Sequence, residues 1–212
     1  MEDNLIYIGE AYLNKVELAL IGLDYLDCTK NDDSPELLAF ESFNRPIYEL
    51  LYAAIVTGVE DYLRTRLKRE VSRSEESILS YLEEYNKKNS KNESKIIYVQ
   101  KGMPLSAKLK DRILETLDHH VYHRIDLIAD FITATTSVRF LRDKLWSQMK
   151  GIIKTRNIII HEGGMKSAGN RIEITPYLVH QALDISEQFI QRIENTLYQH
   201  GYDFLYDIPD DE

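Results

Sequence analysis

What most constrains this chain is a helical rhythm with few interruptions. Apolar side chains return every third or fourth residue over long stretches, and only five prolines and nine glycines are spread through 212 residues. Spacings of three and four put side chains on one side of an α-helix, whereas a half-buried strand needs strict alternation. So few chain breakers do not supply the many tight turns of a β-sandwich. The fold class expected is all-α, an antiparallel helical bundle. Hydrophobic residues at 43% and charged residues at 29% sit near globular averages, and this length buries a real core.

The pattern places the elements. Leu5, Ile8, Tyr12, Val16, Ala19, Leu20 and Leu23 share a face and predict a first helix over about Asn4 to Leu26. After a break at Lys30 to Pro35 comes a short helix over Leu37 to Ser42. Asn44-Arg45-Pro46 then opens a second helix, with Pro46 in its first turn, that runs to about Val71. Ser72-x-x-Glu75 has capping-box spacing and predicts a helix through about Tyr85. The polar run 86–95 reads as an exposed loop. Further helices are expected over Leu105 to Asp118, Val121 to Ala134, Ser137 to about His161, and Pro176 to His200. The β content expected is one short two-stranded element pairing Ile96–Val99 with Ile172–Ile174. Residues 1–200 form one helical domain in this reading, and 201–212 an acidic, solvated tail.

A single cysteine, Cys28, cannot make an internal disulfide, and no basic, apolar leader opens the chain. The most apolar stretch, Tyr48 to Val59, carries Glu49 and is too short for a hydrocarbon layer of roughly 30 Å. A cytoplasmic protein with no membrane partner is expected. The net charge of -9 argues against a surface that binds nucleic acid everywhere. Its distribution is uneven. Residues 137–171 hold Arg139, Arg142, Lys144, Lys150, Lys154, Arg156, Lys166 and Arg171 against Asp143 and Glu162, eight minus two or +6, which leaves -15 on the remainder.

Within that basic region, Leu141, Leu145, Met149, Ile152, Arg156 and Ile159 step by three or four. A neighbouring row runs Trp146, Met149, Ile153, Asn157 and then Ile160 or His161. Three polar side chains thus interrupt an apolar face. Such residues persist in a core when they are paired or when a site needs them. Pairing would set Arg156 against Glu60 or Asp61 and leave His161 as a helix C-cap before Gly163-Gly164. The bare Arg-x4-His spacing decides little, since twelve arginines and six histidines give roughly 0.3 chance matches. The weight lies on context: Asn directly after Arg, three aliphatic residues, a preceding amphipathic helix, and a Gly pair behind.

In that context the segment Ile153-Lys154-Thr155-Arg156-Asn157-Ile158-Ile159-Ile160-His161-Glu162-Gly163-Gly164 resembles the motif of the HEPN superfamily of small helical-bundle proteins. That motif is Arg, four to six residues, then His, often with Asn after Arg. The stretch Ala53-Ala54-Ile55-Val56-Thr57-Gly58-Val59-Glu60-Asp61-Tyr62-Leu63 is similar to a core helix of standalone members. The resemblance implies a HEPN-type bundle with extra helices and a metal-independent endoribonuclease without cofactor. Two copies of the domain would set their motifs face to face on single-stranded RNA, in a setting such as phage defence or stress response. Arg156, Asn157 and His161 take the catalytic places, and Arg139, Arg142, Lys150, Lys154 and Lys166 are candidate RNA contacts. An antitoxin or regulatory protein is a further partner implied. Some members of the family used as toxins carry a Tyr two residues after the His, which a partner nucleotidyltransferase can modify, and here that position is Gly163. Two other readings stand beside the enzyme: an inactive module of the same fold that binds RNA or nucleotide, and a helical interaction domain.

His161, with an ordinary pKa near 6.5, suits general acid or base work at neutral pH. Arg156 offers a planar fork of donors for phosphate oxygens. On an ideal helix the two stand roughly 140° apart, since five steps turn about 500°. They line a cleft better than they pair. His119, His120 and His123 form a second cluster, in which the i, i+4 pair has metal-ligand spacing, but His120 stands where a zinc protease helix carries Glu. A solvated or capping role is the expectation there, with no metal.

Overall fold

The computed structural model describes residues 13–22, 35–91 (35–45 as backbone), 97, 105–164 and 171–205. Seven helices lie among them: α1 over 13–22, α2 Pro35–Ser72, α3 Glu75–Lys88, α4 Ala107–Asp118, α5 Ile125–Thr136, α6 Lys144–Glu162 and α7 Pro176–Tyr198. The protein is all-helical, as the spacing predicts. No helix among the described residues is long and apolar enough to cross a membrane.

Several boundaries differ from the sequence expectation, each for a local reason. Pro35 opens α2, which runs through Pro46 without a break. An internal proline removes one backbone bond and crowds the preceding turn, yet it does not end this helix. Ser72 closes α2 instead of capping α3, and the cap is Ser74, whose Oγ accepts from the Ser77 N–H at 3.0 Å. Helix α3 then continues three residues past Tyr85, so the run read as a loop begins inside a helix. Residues 4–12 and 23–26 of the first expected helix lie outside the described residues, and Leu13, Val16 and Leu20 form its buried face.

Helix α6 begins at Lys144, seven residues later than Ser137. Ser137 has φ +61°, a left-handed conformation that ends α5, and Asp143 Oδ1 accepts from the Leu145 and Trp146 N–H groups at 3.0 and 3.4 Å. Arg139, Leu141 and Arg142 therefore sit in the connector, and Leu141 is 70% exposed instead of buried on α6. The β pairing is not formed among the described residues. The N–H and C=O of Ile97 both pair with the Asn86 side-chain amide, at 3.0 and 2.8 Å, and Ile172 N–H donates to the Gly164 carbonyl at 2.8 Å. Residues 96, 98 and 99 lie outside the described residues.

The chain divides into two compact units, residues 1–60 with 142–192, and residues 61–141 with 193–212, so the boundaries fall within α2 and α7. In the first unit, α6 and α7 meet through Trp146 and Phe189, with ring centroids 5.1 Å apart, and through Ser186, whose Oγ donates to Met149 Sδ at 3.7 Å. In the second, α3 packs on α5 and an aromatic cluster forms from Tyr81, Tyr85, Phe131, Tyr122 and His120. Buried Arg66 of α2 joins Glu70 and Glu194 in a charged network.

His120 gives this cluster a pH dependence. The Tyr81 hydroxyl hydrogen-bonds its Nε2 at 2.7 Å, and the Phe131 ring stacks on it at 4.9 Å. Burial disfavours the charged imidazole and lowers its pKa to about 4. Between pH 6.5 and 4 the unfolded chain therefore holds the extra proton, so this contribution is present above pH 6.5 and is lost as pH falls. A loss on the order of 2–3 kcal/mol is expected by pH 4. His120→Phe should remove that slope in urea titrations at successive pH values. An unchanged slope would place the acid sensitivity elsewhere.

Candidate functional site

In the first unit α6 lies antiparallel to the early part of α2. Arg156 faces Glu60, Thr155 meets Tyr52, and Gly164, past the end of α6, approaches Glu49. Glu49, Tyr52, Val56 and Glu60 recur every three or four residues and so share one side of α2. Burial pushes the Tyr52 phenol up to about 12 against the opposing hydrogen bond with Thr155, so it is neutral at physiological pH.

Arg156 is held at the edge of the core, its side chain 18% exposed. Nη2 is 3.7 Å from Glu60 Oε2, and Nη1 donates to Asn157 Oδ1 at 3.2 Å. The first distance is an ion pair, too long for a hydrogen bond. Nε is buried and has no hydrogen-bond partner. Of the two carboxylates proposed from the sequence, Glu60 is thus the partner, while Asp61 accepts from Arg64 at 2.6 Å.

His161 lies in the last turn of α6 and is exposed. Its side chain makes no hydrogen bond or ion pair with another described residue, so it does not pair with Arg156 within one chain. Gly163, at φ +58°, ends the helix, and its N–H and that of Gly164 both donate to the Ile158 carbonyl. The Gly pair therefore does what its position suggests.

The candidate RNA contacts are dispersed. Lys150 and Lys154 are exposed on α6, and steps of four, three and four place them on one face with Asn157 and His161. Arg142 lies before the helix with its guanidinium 5.9 Å from the Trp146 ring centroid. Arg139 is exposed and belongs to the other unit. Lys166 lies outside the described residues. Glu49, 15% exposed and 3.5 Å from Arg171, and Tyr52 were not singled out from the sequence, although their shared face on α2 is readable from the spacing.

The histidine cluster does not sit on one helix. Helix α4 stops at Asp118, so His119, His120 and His123 occupy the connector to α5, and the i, i+4 spacing has no helical meaning. Among the described residues no group of three His, Cys, Asp or Glu side chains is placed to hold a metal ion.

No protein-family model, curated protein or solved structure matches this chain.

Proposed function

We propose that this protein is a metal-independent endoribonuclease of HEPN type that cleaves single-stranded RNA at a site composed by two copies of the chain. The observation that carries the reading is the arrangement on α6: Arg156 anchored beside Asn157 with an unpaired Nε, and His161 exposed one turn beyond Asn157. In the reaction a base takes the proton of a ribose 2'-hydroxyl, whose oxygen attacks the adjacent phosphorus. The bond to the 5'-oxygen breaks, and an acid protonates that oxygen. The products are a 2',3'-cyclic phosphate and a 5'-hydroxyl. Arg156 would stabilise the charge growing on the phosphate oxygens. His161 of one copy would serve as base and that of the other as acid. A single chain offers one such histidine, and its separation from Arg156 fits a site completed from outside. Phage defence or stress response is the biological setting suggested by the resemblance, with an antitoxin or regulator as a further partner.

The Glu60 ion pair favours a second reading, in which Arg156 is a structural arginine and the fold is an RNA-binding or protein-interaction module without turnover. Labelled single-stranded RNA incubated with the protein in excess chelator separates the two. Cleavage leaving cyclic phosphate ends is expected, and intact RNA at high protein concentration would exclude the enzyme. Light scattering should show a dimer, and a monomer at every concentration would remove the two-histidine scheme.

A further inference from the structure

In the second unit the chain leaves α7 through Gly201, at φ +82°, and folds back so that residues 202–205 lie on α2 and α7. The hold on this strap is mostly polar. Arg66 Nη1 donates to the Asp203 carbonyl at 2.9 Å, Arg69 donates to the Phe204 carbonyl, and Leu205 N–H donates to Glu194 Oε2 at 3.1 Å. Tyr202 donates its hydroxyl to the Thr136 carbonyl at 2.9 Å, beneath the Arg73 guanidinium at 4.7 Å. The apolar hold is confined to two side chains, Leu205, which is buried, and Phe204, whose ring stacks on Tyr198 with centroids 4.5 Å apart, while Asp203 is 64% exposed.

A segment held this way differs from the helices it covers. Little hydrophobic surface opposes its release, while the ordering entropy of four residues favours release. The groups uncovered, Arg66 and Glu194, are charged and gain hydration on exposure. Its attachments are also spaced along the whole strap, so losing one end does not leave the other free. We propose that residues 202–205 form a releasable latch, which opens and closes as one unit while α2 and α7 stay folded. Opening admits water to the Arg66, Glu70 and Glu194 network and withdraws Tyr202 from the wall of a polar cleft of about 650 Å³.

Hydrogen exchange on the full chain tests the latch. The Tyr202 and Leu205 amides, bonded to Leu197 O and Glu194, should share one protection factor within about threefold, at least about a hundredfold below those of Ile190 and Ile193 in α7. Arg69→Ala, at a side chain 33% exposed, should speed both strap amides about tenfold and leave Ile190 unchanged. Three results would overturn the proposal. Leu205 exchanging in step with Ile190 would mean release only on global unfolding. Leu205 exchanging far faster than Tyr202 would mean fraying from the end. Strap amides indifferent to Arg69→Ala would mean that the carbonyl contact does not hold the strap.

Discussion

Arg66→Met is expected to cost about 3–5 kcal/mol of stability, a large part of the roughly 5–15 kcal/mol that separates folded from unfolded domains. The side chain is fully buried, and its guanidinium is shared. Nη1 lies 3.2 Å from Glu194 Oε2, and Nη2 lies 2.9 Å from Glu70 Oε1. Glu194 also accepts from the Tyr62 hydroxyl at 2.6 Å. Removing the cation leaves two carboxylates, 2% and 1% exposed, without their central partner. Burial already pushes both carboxyls above the usual range, with Arg66 opposing it, so the variant should raise them further. A raised folded pKa contributes stability that is present below the unfolded value, near 4.5, and lost as pH rises through the folded one. The deficit of Arg66→Met should therefore be greatest at neutral pH and shrink toward pH 4.5. Adding Glu70→Gln should recover part of it at neutral pH, because one buried charge is removed. Urea midpoints at unchanged slope measure both effects. A neutral-pH loss under about 1 kcal/mol would mean that water already reaches the network.

That network also marks where sequence reading stops. Periodicity locates α2, α4, α5, α6 and α7 because each must bury an apolar stripe, and a stripe is written in the order of residues. Arg66, Glu70 and Glu194 carry no such signature. Residues 66 and 70 look like an exposed i, i+4 pair until Glu194, more than a hundred residues away, closes over them. Helix ends were the other weak point. Asp143 and Ser74 are capping residues in plain view, but Ser137 and Ser72 are equally good caps by type. Only the left-handed turn at Ser137 and the uninterrupted run of α2 choose between them. At the candidate site the polar interruption of an apolar face was legible, and so was the choice of Glu60 or Asp61 as partner for Arg156. The division of roles was not. Arg156 faces inward and His161 outward because they differ by five residues on a helix that ends immediately after His161, and that end is set by backbone geometry at Gly163.

His161→Ala should abolish RNA cleavage, with a fall of about a hundredfold or more, while the urea midpoint stays where it is. The second half of that prediction follows from the exposure of His161, whose side chain has no hydrogen bond or ion pair among the described residues to lose. Arg156 does not allow so clean a test. Arg156→Ala withdraws a cation from Glu60, itself 16% exposed, so part of any lost activity would be lost fold. Arg156→Lys is the better probe, because it keeps the charge beside Glu60 but gives up the planar fork that can hold two phosphate oxygens at once. For an enzyme, stability should change little and kcat should fall by an order of magnitude or more. For a structural arginine, neither His161→Ala nor Arg156→Lys should alter any property of RNA, and the wild type should leave it uncut. Between these outcomes lies a binding module, for which Lys150→Ala and Lys154→Ala would weaken RNA retention and flatten its salt dependence without any cleavage to lose. Lys150, Lys154 and His161 are exposed on one face of α6, so Lys150→Ala, Lys154→Ala and His161→Ala form one coherent series: a gradient of effect rising toward His161 marks chemistry, and an even one marks binding alone.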